Sequence, residues 1–219
     1  MKKYFDILKD CSLFDGIHPD DLKRMLTCMG ARVDSFDKKY TIFAEGTPAK
    51  YVGIVLSGEA QTVRGDLYGN RTILSQASAP ELVGEAFACA QIQSIPVSVI
   101  ASEPCEMMFI DCGHILHTCQ NNCGFHQQLI FNLMKDLAVK SIRFHQKSEV
   151  TSKRSTREKL MTYLSMMEKE TGSRSFEIPF DRQELADYLE VDRSGLSAEI
   201  SRLRKEGVLE SRKNRFTLL

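Results

Sequence analysis

The stretch DRQELADYLEVDRSGLSAEISRLRKEGVL, residues 181–209, decides the fold of the C-terminal part of this chain. Its apolar residues keep helical spacing on both sides of a break at residues 190–192: Leu185 and Leu189, then Leu196, Ile200 and Leu203. Asp192 is suited to cap a second helix, and Gly207 is suited to end it. The pattern predicts two short helices joined by a tight turn, an arrangement that offers the start of its second helix to the major groove of DNA.

An ordinary helical hairpin is the alternative, and the residues that follow argue against it. Residues 208–211 and 215–218 are typical of two short strands around the polar residues 212–214, which predicts the wing of a winged helix. Basic side chains predominate over the end of the second helix and the wing, where they are suited to contact phosphates. The predicted phosphate contacts are Arg182, Ser197, Arg202, Lys213 and Arg215.

Length and composition limit the classes of protein to which this chain can belong. The 219 residues suffice for two domains, and the 29 basic and 29 acidic side chains cancel, so no global positive field indicates nucleic acid. Residues 1–6 do not lead into a long apolar core, and no stretch has the length and apolarity of a membrane span. Seven cysteines, an odd number, in a chain without an export signal favour reduced thiols. We therefore expect a cytoplasmic protein with no membrane partner.

The spacing of apolar residues along the sequence changes twice. Residues 3–28 favour helices, residues 31–111 consist of short alternating runs cut by turns, and helical spacing returns from Gln127. The last region predicts one long helix with a seam of Ile130, Leu133, Leu137 and Phe144. This seam is predicted to join two copies of the chain; the alternative is that the helix packs only on its own β-domain.

Several motifs together resemble the Crp/Fnr family of bacterial transcription regulators, and the similarity extends over essentially the whole chain. The motifs are Leu13-Phe14-Asp15-Gly16-Ile17, Leu56-Ser57-Gly58-Glu59-Ala60, Leu82-Val83-Gly84-Glu85, Arg182-Gln183-Glu184-Leu185 and Asp192-Arg193-Ser194. The resemblance implies an α+β fold, with a β-roll sensor domain at 1–118, a dimerisation helix at 119–149 and a winged helix-turn-helix at 150–219. It also implies a homodimer that binds palindromic double-stranded DNA and, if it activates transcription, contacts RNA polymerase.

The resemblance places the base-reading positions at Arg193, Ser194 and Ala198. Arg193 can offer two parallel hydrogen bonds to guanine, whereas Ala198, at a position where relatives commonly carry arginine, cannot bond to a base edge. Glu190 is a second departure, because relatives often have glycine at this turn. A left-handed backbone at a residue with a Cβ costs about 1 kcal/mol.

The sensor domain departs from cyclic-nucleotide-binding members of the family. Gly84 and Glu85 match their motif, but residues 94–97 (SIPV) stand where those members carry the arginine and serine that hold the cyclic phosphate. A buried phosphate without its cation is costly. We therefore expect the effector pocket, with Gly84, Glu85, Ile95 and Pro96, to bind a small molecule other than cAMP, of unknown identity.

A cluster of thiols and imidazoles gives a second functional hypothesis. Cys119, Cys123 and His126 have the spacing of one helix face, and Cys112 lies just before them. Such ligands could hold zinc, haem or an iron-sulfur cluster, or form a redox thiol pair; the alternative is buried thiols, as predicted for Cys11, Cys28, Cys89 and Cys105. The competing function is a thiol or metal redox protein. Because no catalytic base or cofactor loop accompanies the cluster, the sequence predicts a regulator and not an enzyme.

Overall fold

The computed structural model describes residues 2–65, 71–116 and 125–219. The chain divides into two compact units. The first is built from the described residues up to Ser141 apart from 71–73, and the second from residues 71–73 together with Ile142–Leu219. Within the described part of the chain, no helix combines the length and apolar character needed to cross a bilayer.

A helical segment opens the first unit. The 3-10 turns Lys2–Tyr4 and Ser12–Phe14 flank α1 (Phe5–Lys9), and α2 (Pro19–Cys28) follows. His18 caps α2 through its side chain, and Pro19 occupies the first turn, where a helix has no use for an N–H. The buried face of α2 consists of Leu22, Met25 and Leu26.

Strands and short helices make up the rest of this unit. They are β1 (Arg32–Phe36), β2 (Thr41–Phe43), β3 (Tyr51–Ser57), β4 (Glu59–Gly65), β5 (Arg71–Ser78), β6 (Leu82–Val83), α3 (Glu85–Cys89), β7 (Ser98–Ala101), β8 (Cys105–Asp111) and α4 (Cys112–Leu116). Among the described residues they form two four-stranded sheets, in the orders β1-β8-β3-β6 and β2-β7-β4-β5. The turn from β3 to β4 requires Gly58, which has φ +74°, and a Cβ there would lie 2.2 Å from the Pro104 carbonyl oxygen.

Two cores lie on opposite faces of the first sheet. Val52, Ile54 and Leu56 of β3 pack with the N-terminal helices, whereas Val55 packs with residues of the second sheet. Successive side chains of a strand point to opposite faces, so the apolar run of β3 can fill both cores. This architecture confirms the predicted β-roll.

The long helix α5 (Phe125–Thr151) has 27 residues and packs one face on its own β-roll. Leu133 is buried in the first core and Leu137 packs against it, while Asn132 Nδ2 donates to the carbonyl oxygens of Leu13 and Asp15 at 2.9 and 2.8 Å. Leu133 is therefore used within the chain and is not available to the predicted seam, whereas Leu137 is half-buried; the seam itself stays a prediction. Ile130 is half-buried, and Phe144 is exposed, as a seam residue must be.

The second unit contains the remaining elements. They are α6 (Thr156–Thr171), β9 (Ser175–Glu177), α7 (Arg182–Leu189), α8 (Arg193–Lys205), β10 (Leu209–Arg212) and β11 (Arg215–Leu218). The strands pair antiparallel in the order β10-β11-β9. Ser155 and Glu158 form a reciprocal capping box that begins α6. The predicted α+β fold, with β-roll, long helix and winged helix-turn-helix, is confirmed.

Candidate nucleic-acid interface and sensor site

The first helix of the helix-turn-helix is fixed at both ends. Asp181 and Glu184 form a capping box at its start. At its end, Glu190 adopts the left-handed conformation, with φ 54° and ψ 54°. Lys159 of α6 donates through Nζ to the carbonyl oxygens of Leu189 and Glu190, each at 3.1 Å. This cation satisfies carbonyls that the helix end leaves free, and it holds the turn in a conformation that is costly for glutamate.

The second helix begins at the predicted cap. The Asp192 carboxylate accepts a hydrogen bond from the Gly195 backbone N–H at 2.7 Å and another from the Ser194 hydroxyl. The Ser194 hydrogen bond, followed by that of Gly195, lowers the pKa of Asp192. Leu196, Ile200 and Leu203 face the core of the unit, and Gly207, with φ +71°, follows the helix end.

The opposite face of α8 is open to solvent. It carries the predicted base-reading residues Arg193, Ser194 and Ala198 together with the predicted phosphate contacts Ser197 and Arg202, all of them exposed. The Ser194 hydroxyl is bonded to Asp192 in this structure, so it would have to exchange partners to reach a base. Arg193 is therefore the residue of this face best suited to read a base edge.

The wing is a tight hairpin. Arg212 pairs with Arg215 across a turn of two residues, and Lys213 at its tip is exposed and has φ 54°. Arg215 is also exposed, and its Nε lies 3.4 Å from Ser175 Oγ. Lys213 and Arg215 thus occupy positions from which phosphates can be contacted, as the sequence predicts.

Arg182 differs from the exposed phosphate contact that the sequence predicts. It is half-buried: its guanidinium lies 5.5 Å from the centre of the Phe216 ring, and Nη2 donates to the Lys213 carbonyl oxygen at 3.3 Å. Burial lowers its pKa. The contacts of Arg182 with Phe216 and Lys213 position the wing relative to α7.

Arg157 of α6 is a residue that sequence reasoning missed. Its Nη2 lies 2.6 Å from Glu206 Oε2, and its Nη1 lies 3.6 Å from Glu199 Oε1. Its hydrogen bond to Glu206 raises the pKa of Arg157 and lowers that of Glu206. The acidic side chain that directly follows the basic end of α8 is thereby paired with a cation from α6. Sequence spacing gave no sign of this contact, because the partners are 49 residues apart.

The residues of the predicted sensor site differ in their exposure to solvent. Gly84 has φ +77° immediately before α3, and Glu85 is 5% exposed. At the place of the missing arginine and serine, Ile95 and Val97 are buried and Pro96 is exposed. Glu85 and Ile95 therefore belong to the interior of the β-roll, Gly84 is half-buried, and Pro96 lies at the surface.

A cation does reach this interior, from α5. Lys140 Nζ lies 3.0 Å from Glu85 Oε1 and 3.0 Å from Asp136 Oδ2, and it donates to the Leu82 carbonyl oxygen at 2.7 Å. Ser12 Oγ donates to the other Asp136 oxygen at 3.0 Å. The sequence reasoning did not identify Lys140 or Asp136, because both residues lie on a different element from the motif. The charge of Lys140 is engaged by two carboxylates and is not free for a phosphate.

The predicted metal or redox cluster is covered only in part. Cys119 and Cys123 lie outside the described residues, while Cys112 and His126 are buried in the first unit. Among residues 2–65, 71–116 and 125–219, no group of three or more His, Cys, Asp and Glu side chains is arranged to hold a metal ion. The thiol nearest to Cys112 that the structure records is Cys89, with 3.6 Å between the sulfur atoms. Metal binding at residues 112–126 stays a prediction.

Comparisons with known proteins agree with this division of the chain. The family model of the cyclic nucleotide-binding domain matches residues 33–122, and that of the Crp-like helix-turn-helix domain matches residues 158–219. The two models together match more than half of the chain. No curated protein sequence gives a significant match.

Solved structures share the fold at low sequence identity. The c-di-GMP-responsive global regulator CLP of Xanthomonas campestris is 17% identical, with a TM-score of 0.74, over 92% of this chain and 99% of that one. FixK2 of Bradyrhizobium japonicum is 19% identical, with a TM-score of 0.66, over 86% and 92% of the two chains. A Crp-family transcriptional regulator of Thermus thermophilus is 17% identical, with a TM-score of 0.62, over 85% and 91%. With its cyclic-nucleotide-binding-like domain and its Crp-like helix-turn-helix, the chain belongs to the Crp/Fnr family of DNA-binding transcription regulators.

Proposed function

We propose that this protein is a homodimer that binds a palindromic operator and is controlled by a signal received in its β-roll. The observation that carries the proposal is the exposed face of α8. Arg193 stands at the start of that face, beside the N-terminus of the helix, and the exposed residues Ser197 and Arg202 follow along it. In helix-turn-helix proteins this end of the second helix contacts base edges, while basic side chains around it contact phosphates.

Pairing of two copies is supported by α5. Beyond the face that packs on the β-roll, Phe131, Met134 and Ile142 are 56%, 59% and 59% exposed, and Phe144 is 61% exposed. Phe131, Met134, Ala138 and Ile142 follow each other at intervals of three and four residues, the spacing of a coiled-coil seam. An exposed apolar stripe of this kind marks an interaction site. We assign the dimer seam to this stripe.

The effector is proposed to be something other than a cyclic nucleotide. The apolar residues Ile95 and Val97 are buried at the place where relatives hold the phosphate with a cation. Lys140, the cation that does reach the site, is bound to Glu85 and Asp136. An anionic ligand would have to displace both carboxylates, so a small neutral or cationic molecule, or a redox signal, fits the site better.

Selection from random duplex DNA tests the proposal. The full-length protein is incubated with a duplex library, bound molecules are amplified over several rounds, and enriched sequences are compared. We expect two inverted half-sites with centres about 10 base pairs apart, because the two recognition helices of such a dimer lie about one DNA turn apart. Affinity for the enriched site should fall steeply between about 50 and 200 mM salt, since the contacts release counterions. Enrichment of sequences that contain no inverted half-sites would contradict the proposal.

A further inference from the structure

Two cysteines that are 23 residues apart in sequence meet in the first unit. Cys89 is the last residue of α3 and Cys112 is the first residue of α4, and their sulfur atoms lie 3.6 Å apart. Sequence reasoning treated Cys89 as a core residue and grouped Cys112 with Cys119 and Cys123. The fold instead gives Cys112 a thiol neighbour from the helix that begins at the sensor residue Glu85.

The two thiols differ in their surroundings. Cys89 is partly exposed, whereas Cys112 is 3% exposed and lies in the core. The hydrogen bond between the two thiols lowers the pKa of Cys89, against the opposing effects of burial and of the Glu85 charge. The same bond, together with burial, raises the pKa of Cys112. Cys89 is thus the sulfur that a solute can reach, while Cys112 lies in the interior, where burial disfavours its thiolate.

We propose that Cys89 and Cys112 are a peroxide-sensitive thiol pair that closes to an intramolecular disulfide between α3 and α4. A disulfide has a sulfur–sulfur length of about 2.05 Å, so the two atoms must approach by about 1.6 Å, a distance within reach of side-chain rotation. No third residue is needed for the chemistry, because one thiol attacks the oxidant and the other attacks the product.

The electrons and protons balance in two steps. The Cys89 thiolate attacks one oxygen of hydrogen peroxide, the O–O bond breaks, Cys89 becomes a sulfenic acid, and hydroxide leaves. The Cys112 sulfur then attacks the Cys89 sulfur, the S–O bond breaks, and the hydroxyl group leaves with the Cys112 proton as water. Two electrons pass from the thiols to the peroxide, and a thiol reductant reverses the change.

The disulfide would fix the end of α3, whose first residue, Glu85, is held by Lys140 of α5. Oxidation would therefore change the freedom of the helix that forms one wall of the sensor site. A signal of this kind acts only through a difference in stability between two arrangements of the protein. This consequence for DNA binding rests on the proposed function, whereas disulfide formation does not.

Peptide mapping of the oxidised full-length protein tests the pair directly. Residues 72–134 contain no lysine or arginine, so trypsin alone leaves Cys89, Cys105, Cys112, Cys119 and Cys123 in one peptide. Cleavage after Glu106 separates Cys89 and Cys105 from Cys112, because the bond after Glu103 precedes Pro104 and resists cleavage. Chymotryptic cleavage after Leu116 separates Cys112 from Cys119 and Cys123, and fragmentation of the linked peptides distinguishes Cys89 from Cys105. The reduced protein is treated with hydrogen peroxide, free thiols are alkylated, and the three cleavages are combined.

We expect one linked pair of peptides, containing Cys89 and Cys112 and lighter by two hydrogen atoms than the reduced pair. Alkylation of Cys89 should fall at least about tenfold and return after dithiothreitol treatment. In Cys112→Ser, the Cys89 sulfenic acid persists and is trapped by dimedone. The matched variant is Cys28→Ser, because Cys28 is exposed and not buried as the sequence predicts; it should form the link as the wild type does. Reduced Cys89 after peroxide treatment, or its linkage to Cys119 or Cys123, would overturn the proposal. Either result would be independent of any DNA measurement.

Discussion

Replacing Lys140 with methionine should destabilise the first unit by an amount that the structure allows us to estimate. Methionine keeps most of the apolar stem but removes the charge that lies 3.0 Å from each of Glu85 and Asp136. The side chains of these two acids are 7% and 12% exposed, and Glu85 Oε2 already has no hydrogen-bond partner among the described residues. The variant therefore leaves two carboxylates buried side by side without a cation.

Removing one partner of a buried ion pair costs about 3–5 kcal/mol. Because the Lys140 side chain is 27% exposed, solvent screens part of the interaction, and we expect the lower end, about 3 kcal/mol. For a chain of this size 1 kcal/mol corresponds to about 2–4 °C, so the unfolding midpoint should fall by roughly 6–12 °C. Lys135→Met is the matched control, since Lys135 is 63% exposed and should change stability by no more than about 0.5 kcal/mol.

Urea unfolding followed by circular dichroism measures these differences, and a double-mutant cycle assigns them. In the Glu85→Gln background one of the two stranded charges is absent, so Lys140→Met should cost less there by at least about 1 kcal/mol. An equal cost in both backgrounds would show that Lys140 acts through packing alone. A total cost below about 1 kcal/mol would refute the reasoning that the ion network organises the sensor site.

Three further predictions concern the turn, α5 and the dimer. Glu190→Gly should raise the free energy of unfolding by up to about 1 kcal/mol, and with it the thermal midpoint, because glycine adopts φ 54° without strain. Glu190→Ala keeps the Cβ and should bring no such gain. Burial lowers the pKa of Lys147 from 10.5 to about 8. Between these two pH values the unfolded chain binds one proton more than the folded chain, so the free energy of unfolding should rise with pH. Urea titrations at several pH values should show this rise in the wild type and a smaller rise in Lys147→Met. Phe131→Asp should shift the sedimentation of the protein from dimer to monomer, whereas Gln127→Glu, which is also exposed on α5, should not. A Phe131→Asp variant that is still dimeric would contradict the assignment of the seam to this stripe.

Local signals explain what the sequence predicted well. The cap at Asp192 and the turn at Glu190 depend on residues within a few positions of one another, and both appear in the structure. The short apolar run of β3, which ends at a Ser-Gly turn, likewise predicts a buried strand. These features could be predicted from the local sequence, without knowing which elements pack on each other.

The errors and omissions concern long-range contacts. Helix α5 has apolar residues on two faces, and the spacing alone could not tell whether Leu133 or Met134 faces the chain's own core. The ion network of Lys140 and the thiol pair of Cys89 with Cys112 join residues that are far apart in sequence, so no motif contains them. In both cases the tertiary fold supplies the partner.

The measurement that tests the central claim most directly is a comparison of base preferences between the wild type and Arg193→Ala. Each protein is titrated against the enriched operator and against its single base-pair variants by fluorescence anisotropy. If Arg193 reads a base, the variant should lose about 1–3 kcal/mol of discrimination at one position in each half-site. Lys213→Ala, which removes a proposed phosphate contact, should weaken binding to all sequences equally. An unchanged preference in Arg193→Ala would contradict the assignment of α8 as the helix that reads DNA.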